Sequence, residues 1–148
     1  MVKENNKMKN LEEIRKEVES ITDRLGKPIE ENIKELVIGL RFCGIETEQS
    51  CEGHSDRGAP YPWVAIPYEF AEKLLKVVAW QNRPKLANGS PNKNTWVIRP
   101  GADLRLMPER KDLPLKKLQE QALEFGLFLQ NLSDDRFPED WLETEKKP

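Results

Sequence analysis

The sequence predicts an α+β fold, in which a helical hairpin is followed by the order β-β-α-β-β-α and helices cover a small, mainly antiparallel sheet. Apolar residues recur every three or four positions near both ends of the chain, which is typical of amphipathic helices. Short runs rich in Val, Ile, Trp and Thr lie between turns that contain Gly and Pro, as expected of strands. We find no repeat and no domain boundary, so residues 1–132 are predicted to form one domain.

Two apolar stripes predict the helical hairpin. The first stripe ends before Gly26 and consists of Leu11, Ile14, Val18, Ile21 and Leu25. Pro28 suits the first turn of a second helix, which ends near Gly44 and turns inward Ile29, Ile33, Leu36, Val37 and Leu40. The first stripe, over residues 11–25, is also long enough to pair two copies of the chain, so a homodimer is an alternative use for it.

The remaining elements alternate along the chain. We expect strands at residues 45–50 and 63–66, with a Gly- and Pro-rich loop between them. A third helix is predicted at residues 68–81, followed by a loop and by strands at 95–99 and 103–107. Pro114 then begins a long helix, whose apolar face includes Leu115, Leu118, Ala122, Phe125 and Leu129.

Composition narrows the class of protein. No apolar run approaches the roughly 18 residues that a membrane span needs, and the first residues lack the apolar segment of a signal peptide. Two cysteines make a disulfide framework improbable, so we expect a soluble cytoplasmic protein. Residues 1–9 are predicted to be disordered, and residues 133–148 to form an acidic tail with a short docked helix.

Chemically capable side chains concentrate at the end of the first predicted strand, in the run Thr47-Glu48-Gln49-Ser50-Cys51-Glu52-Gly53-His54. Gly53 tolerates the positive φ of a turn, which presents Cys51, Glu52 and the only histidine together. Strand alternation places Ile45, Thr47, Gln49 and Cys51 on one face, so the polar members of that face need hydrogen-bond partners or line a pocket. Residues 47–54 are therefore the predicted functional site.

Metal binding is one chemistry open to this run. The spacing Cys51-x-x-His54 lets one tight turn hold a divalent ion such as zinc, with Glu52, Asp56 or Cys43 as further ligands. A structural zinc site normally takes four Cys or His ligands, and the chain has only three such residues. A catalytic centre with three ligands remains open.

A catalytic thiol is the second possibility, with Cys51 as nucleophile and His54 as base. An activated thiol needs a lowered pKa, but three flanking glutamates, Glu46, Glu48 and Glu52, raise it. Only Arg57 acts in the opposite direction, so the local charges disfavour this option, and the residues leave open whether the protein is an enzyme.

A non-covalent pocket for a small ligand is the third possibility. Thr47, Gln49, Ser50, Glu52 and His54 would supply hydrogen bonds, and Tyr61 and Trp63 a stacking surface. The alternative is structural, since Cys51 is small enough to be a core residue, His54 can cap a turn, and Glu52 can be solvated.

A basic stretch suggests RNA as a partner. Residues 83–116 contain eight Lys or Arg residues against Asp103, Glu109 and Asp112. Such an excess can face nucleic acid, and its alternative is a solvated surface.

Two resemblances rest on the residues of the predicted site. The run from Gly44 to His54, followed by Tyr61-Pro62-Trp63-Val64, resembles a motif in small bacterial and phage proteins and implies no function. Residues 31–128 are similar in layout to the wybutosine-synthesis tRNA methyltransferases, with matches at Thr47, Ser50, Cys51 and Gly53. His54 stands where that family has arginine, Glu52 where a small residue is usual, and the family's C-terminal portion has no counterpart. The resemblance implies S-adenosylmethionine as cofactor and tRNA as substrate.

Overall fold

A computed structural model describes residues 10–132 and confirms the predicted fold class and order of elements. The predictions for residues 1–9 and 133–148 lie outside the described residues. The elements are α1 (Leu11–Glu19), α2 (Glu31–Phe42), β1 (Gln49–Cys51), β2 (Trp63–Ile66), a 3-10 turn (Tyr68–Phe70), α3 (Ala71–Gln81), β3 (Trp96–Arg99), β4 (Leu104–Pro108) and α4 (Leu115–Gln130). None of the described helices is long and apolar enough to cross a membrane.

The sheet has the strand order β1-β2-β4-β3, and every neighbouring pair is antiparallel. Val64 lies opposite Leu106, which also lies opposite Ile98, so these residues share the face that the helices cover. Val64 and Leu106 are fully buried in the main core together with Trp96, whose ring meets Phe125 of α4 edge to face at 5.2 Å. The other face of the sheet is called the outer face below.

Helices α2 and α4 cross with their backbones in contact at two glycines. A Cβ atom on Gly126 would lie 2.5 Å from the carbonyl carbon and oxygen of Glu35, and one on Gly39 would lie 2.8 Å from the Gly126 oxygen. Neither crossing helix can therefore carry a side chain at its glycine. This close crossing fixes the start of α2 relative to α4, and both helix starts adjoin the site described below.

The first helix is shorter than predicted. It ends at Glu19 and not at Leu25, because the chain turns over residues 22–28, where the Asp23 side chain accepts hydrogen bonds from the backbone N–H of Leu25 and Lys27. Leu25 is 79% exposed, so it does not belong to the apolar stripe. Ile14 and Val18 pack into the core of their own chain, and the homodimer stays a prediction.

The first strand begins later than predicted. Arg41 of α2 donates hydrogen bonds to the side chain and carbonyl oxygens of Thr47, at 3.2 and 2.9 Å, which holds this segment against the helix. β1 consequently starts at Gln49, and Ser50, not Gln49, lies opposite the buried Val64. In the row predicted to need hydrogen-bond partners or to line a pocket, Ile45 is buried and Thr47 is bonded by Arg41, but Gln49 is exposed.

An ion pair joins α1 to α2 and predicts an acid-sensitive contribution to stability. Arg15 donates two hydrogen bonds of 2.8 Å to the Glu35 carboxylate, and these hold the Glu35 pKa below its ordinary value of 4.5. Because the folded pKa is the lower one, the contribution is complete above pH 4.5 and is lost as the pH falls through the folded value.

For this partly buried pair we expect Glu35→Gln to remove roughly 0.5–1 kcal/mol of stability at pH 7. The loss should shrink as the pH is lowered below 4.5. Urea unfolding at several pH values measures it, with Glu31→Gln as the exposed neighbour control. A loss that is constant down to pH 3 would contradict this assignment.

Candidate metal centre

Three side chains that commonly bind metals converge where α2 begins and β1 ends. Glu30 is the N-cap residue of α2, Cys51 is the last residue of β1, and His54 lies in the loop that follows. One ligand atom from each lies within 4.8 Å of the other two, and no other group of this kind occurs among residues 10–132. The structure thus brings together Cys51 and His54, as predicted, and adds a carboxylate from a distant part of the sequence.

The histidine ring points directly at the carboxylate. His54 Nε2 lies 3.0 Å from Glu30 Oε2, and their side chains retain 18% and 35% of their exposure. The backbone N–H of His54 donates to the Ala59 carbonyl at 3.0 Å, which closes the loop behind the ring. The donors are therefore partly buried, and a backbone hydrogen bond holds the loop that carries His54.

Glu52 ties the loop to the start of α2. Its Oε1 atom accepts the backbone N–H of Asn32 at 2.9 Å, and its own N–H donates to Glu30 Oε1 at 2.8 Å. The first contact satisfies an amide that the helix itself cannot pair, and the negative charge suits a helix N-terminus. The second orients the Glu30 carboxylate so that its other oxygen faces His54. Glu52, predicted as a ligand-binding residue, thus positions the site.

Gly53 makes the turn between Cys51 and His54. Its φ of +90° lies in the left-handed region, and a Cβ atom there would meet the carbonyl carbon of Tyr61 at 2.8 Å and Leu115 Cδ1 at 2.7 Å. Gln119 of α4 also donates to the Glu52 carbonyl at 3.0 Å. Only glycine fits this position. The turn is packed between Tyr61, which lies just before β2, and Leu115 at the start of α4.

The Cys51 thiol is not activated as a nucleophile. Partial burial raises its pKa above the ordinary value of 9.0, and the charges of Glu30 and Glu52 raise it further. The Gly53 N–H, which donates to Cys51 Sγ at 3.3 Å, and Arg57 lower the pKa without reversing the shift. A protonated thiol at neutral pH is a poor nucleophile but still becomes a thiolate when a metal displaces its proton.

Two of the further ligands considered from the sequence do not join this group. Cys43 is fully buried in the core, where burial raises its pKa to about 12. Asp56 is exposed and contacts Arg57 at 3.3 Å. The predictions of Cys43 and Asp56 as ligands are therefore wrong for this arrangement.

The residues predicted for a polar pocket are dispersed. Thr47 is held by Arg41, Ser50 faces the core side of the sheet, and Gln49 is exposed. Tyr61 and Trp63 each contact a cation, Lys111 Nζ at 5.5 Å and Arg105 Cζ at 3.9 Å from the ring centroids. Of these five residues Trp63 lies opposite Cys51 in the strand register, and the polar pocket stays a prediction.

A groove of about 500 Å³ lies between the N-terminal halves of α2 and α4, and none of the three donors is among its lining residues. Asn32 and Gln119, which both hydrogen-bond Glu52, belong to its lining. The complete lining is Glu31, Asn32, Glu35, Leu115, Lys116, Gln119, Glu120 and Leu123. A small molecule in this groove would therefore lie next to the residues that position the donors.

Glu30 is the member that sequence reasoning missed. It lies 21 positions before Cys51, so no local spacing connects the two. The available signal was its place just after Pro28, at the predicted helix start, within the acidic stretch of residues 30–55. Helix starts and strand ends often meet at functional sites. To use that rule here, one must first know that the start of α2 lies beside the end of β1, which the sequence does not tell.

Comparisons of the chain with family models, with curated proteins and with solved structures found no match. The resemblance to the tRNA methyltransferases therefore stays a prediction.

Proposed function

We propose that this protein binds one divalent transition-metal ion of the zinc type through Glu30, Cys51 and His54. The observation that carries the proposal is the convergence of three different donor atoms within 4.8 Å, at the junction of a helix start, a strand end and a tight turn. Ion–ligand distances of about 2.0–2.3 Å place ligand atoms within roughly 4 Å of each other, so small rotations suffice to admit an ion. The ion would replace the contact between His54 and Glu30.

The donor types select the metal. A thiolate is a soft ligand that disfavours Mg²⁺ and Ca²⁺, which prefer oxygen atoms, and an imidazole suits zinc and its neighbours. One thiolate, one imidazole and one carboxylate together carry a charge of −2, which a divalent ion neutralises. Zinc meets these requirements without redox chemistry that would oxidise the thiolate.

Three protein ligands leave the fourth tetrahedral position to water or to a bound molecule. This pattern is typical of catalytic zinc centres, whereas structural centres have four protein ligands. The groove between α2 and α4, whose lining residues Asn32 and Gln119 hydrogen-bond Glu52, would supply space for a ligand near the centre. Metal-assisted binding or hydrolysis of a small molecule is thus the reaction class that the proposal favours, in line with the polar or metal site predicted from the sequence.

The test is a zinc titration of protein purified without a histidine tag, with a competing chelator as indicator. We expect one equivalent of Zn²⁺ to bind the wild-type chain. Glu30→Gln, Cys51→Ser and His54→Ala should each weaken binding by more than about 100-fold, because losing a ligand costs more than the 10–100-fold lost when a ligand is misoriented.

Matched controls lie beside each ligand in the chain. Glu31→Gln changes the exposed neighbour of Glu30, and Asp56→Asn changes an exposed acid in the same loop. Both should bind zinc as the wild type does. If either control weakens binding as much as the ligand variants do, the ion is held by general negative charge, and the three-ligand centre is wrong.

The raised pKa of Cys51 makes zinc binding depend on pH. Below that pKa the thiol must release a proton when the ion binds, so the apparent affinity should rise about tenfold for each pH unit. Calorimetry between pH 6.5 and 8 in buffers of different ionisation enthalpy measures the released proton. Cys51→Ser should lack this proton; a wild-type affinity without pH dependence would argue against thiolate ligation.

A further inference from the structure

A second candidate surface lies on the outer face of the sheet. One row across all four strands contains Gln49, Ala65, Arg105 and Arg99, because each of these residues lies opposite the next in the register. The adjacent row on this face contains Cys51 and Trp63. Ala65 and Met107 of this face are buried but lie outside the main core cluster, so the accessible part of the face consists of Gln49, Trp63, Arg99 and Arg105.

Two arginines face each other in that row. Arg99 and Arg105 are directly paired across β3 and β4, where Cβ atoms lie about 4.5–5.5 Å apart. Like charges so placed repel each other, and no carboxylate among residues 10–132 forms an ion pair with either arginine. Within residues 10–132 the pair therefore lacks the anion that would make this arrangement favourable.

Aromatic rings lie next to these charges. The Arg105 guanidinium lies 3.9 Å from the centroid of the Trp63 ring, and Lys111 Nζ lies 5.5 Å from that of Tyr61. Trp63 is only partly buried, although an indole in a four-stranded sheet could have been placed in the core, as Trp96 is. A surface on which cations alternate with accessible aromatic rings suits a polyanion that also contains flat aromatic groups, because the cations bind its charges and the rings stack on those groups.

We infer that the outer face binds single-stranded nucleic acid. Arg99 and Arg105 take phosphate groups of the backbone, an unpaired base stacks against the Trp63–Arg105 pair, and Gln49 offers its amide to a base edge. Bases in a duplex are stacked on each other and cannot reach a flat sheet face, which excludes double-stranded partners. The residues that carry the inference do not include the proposed metal ligands, although Cys51 lies opposite Trp63, so either proposal can fail alone.

Fluorescence anisotropy with a labelled uridine oligomer tests the inference, with the corresponding thymidine oligomer, a hairpin duplex and inorganic polyphosphate as competitors. We expect the single strands to compete and the duplex not to. Affinity should fall as salt rises. The double variant Arg99→Gln/Arg105→Gln should reduce the slope of log K against log salt by roughly 1.4, since it removes two phosphate contacts and each contributes about 0.7 on a single strand.

The variant Arg99→Glu distinguishes a loss of nucleic-acid binding from a loss of folding. The new carboxylate faces Arg105 across the strands, so the midpoint of thermal unfolding should stay the same or rise while binding is lost. Trp63→Leu should weaken binding of the oligomers but leave polyphosphate binding intact. Lys16→Gln/Lys117→Gln removes the same net charge from exposed helical positions and should leave binding unchanged.

Three outcomes would overturn the inference. These are the absence of binding at low salt, equal weakening by the Lys16/Lys117 control, and polyphosphate or duplex competing as well as the single strands. Removing zinc, or replacing His54 by alanine, should not alter binding to the uridine oligomer. If binding is lost in those samples while the far-ultraviolet circular dichroism stays that of the folded protein, the two sites are not separate.

Discussion

Replacing Gly126 by alanine is expected to lower the free energy of unfolding by about 2–3 kcal/mol, because overpacking a tight contact costs about this much and the clash here is with backbone. The new Cβ atom would lie 2.5 Å from the Glu35 carbonyl group and 2.6 Å from the Leu36 nitrogen, which cannot rotate away. Alanine is the better helix former by roughly 1 kcal/mol, but that gain is smaller than the cost of separating α2 from α4. Urea unfolding measures the difference.

Gly101→Ala is the matched control for this substitution. A Cβ atom there would meet only the Asp103 oxygen, at an ordinary 3.6 Å, so stability should hardly change. Gly39→Ala addresses the same helix crossing from the other side. Because either alanine already separates the helices, the double variant should lose less than the sum of the single losses. Strictly additive losses, or a stable Gly126→Ala, would contradict backbone contact at this crossing.

Replacing Gly53 by alanine is expected to weaken zinc binding strongly, with a smaller effect on the fold. A left-handed φ costs a non-glycine residue roughly 1–2 kcal/mol, and the Cβ atom would also press on the Tyr61 backbone at 2.8 Å. The turn must therefore open, which separates Cys51 from His54. We expect zinc affinity to fall at least about 10–100-fold, the range seen when ligands lose their orientation.

Gly58→Ala is the control in the same loop. Its φ of +62° gives a comparable backbone strain, but a Cβ atom there meets nothing within 4 Å. This variant should lose about 1 kcal/mol of stability and keep zinc affinity. Circular dichroism and zinc titration on both variants separate strain from geometry. A Gly53→Ala protein with unchanged zinc affinity would show that the turn does not position the ligands.

The helices and strands were predicted from patterns within single segments of the sequence. Most of them occur in the structure, because such patterns do not depend on contacts with distant residues. The stripes of α2 and α4 have the helical period, and Pro114 immediately precedes α4 as predicted. Where a side-chain contact intervened, the predicted bounds were wrong: Arg41 of α2 hydrogen-bonds Thr47 just before β1, and Asp23 helps to form the turn after α1. Such contacts cannot be deduced from spacing alone.

The candidate site was predictable only in part for the same reason. Cys51, Gly53 and His54 are neighbours in the sequence, so one turn brings them together. Glu30 reaches them only because the crossing of α2 and α4 and the ties through Glu52 place the start of α2 beside the loop. The aromatic and basic outer face likewise depends on the strand order β1-β2-β4-β3, which brings Trp63 next to Arg105.

The absorption spectrum of the protein titrated with Co²⁺ tests the central claim most directly, since cobalt replaces zinc in such centres and reports its ligands. The proposed centre predicts uptake of one equivalent, the intense visible bands of a four-coordinate ion and a thiolate-to-cobalt charge-transfer band that is absent in Cys51→Ser. The weak spectrum of the hydrated six-coordinate ion, unchanged by the protein, would contradict a metal centre at Glu30, Cys51 and His54.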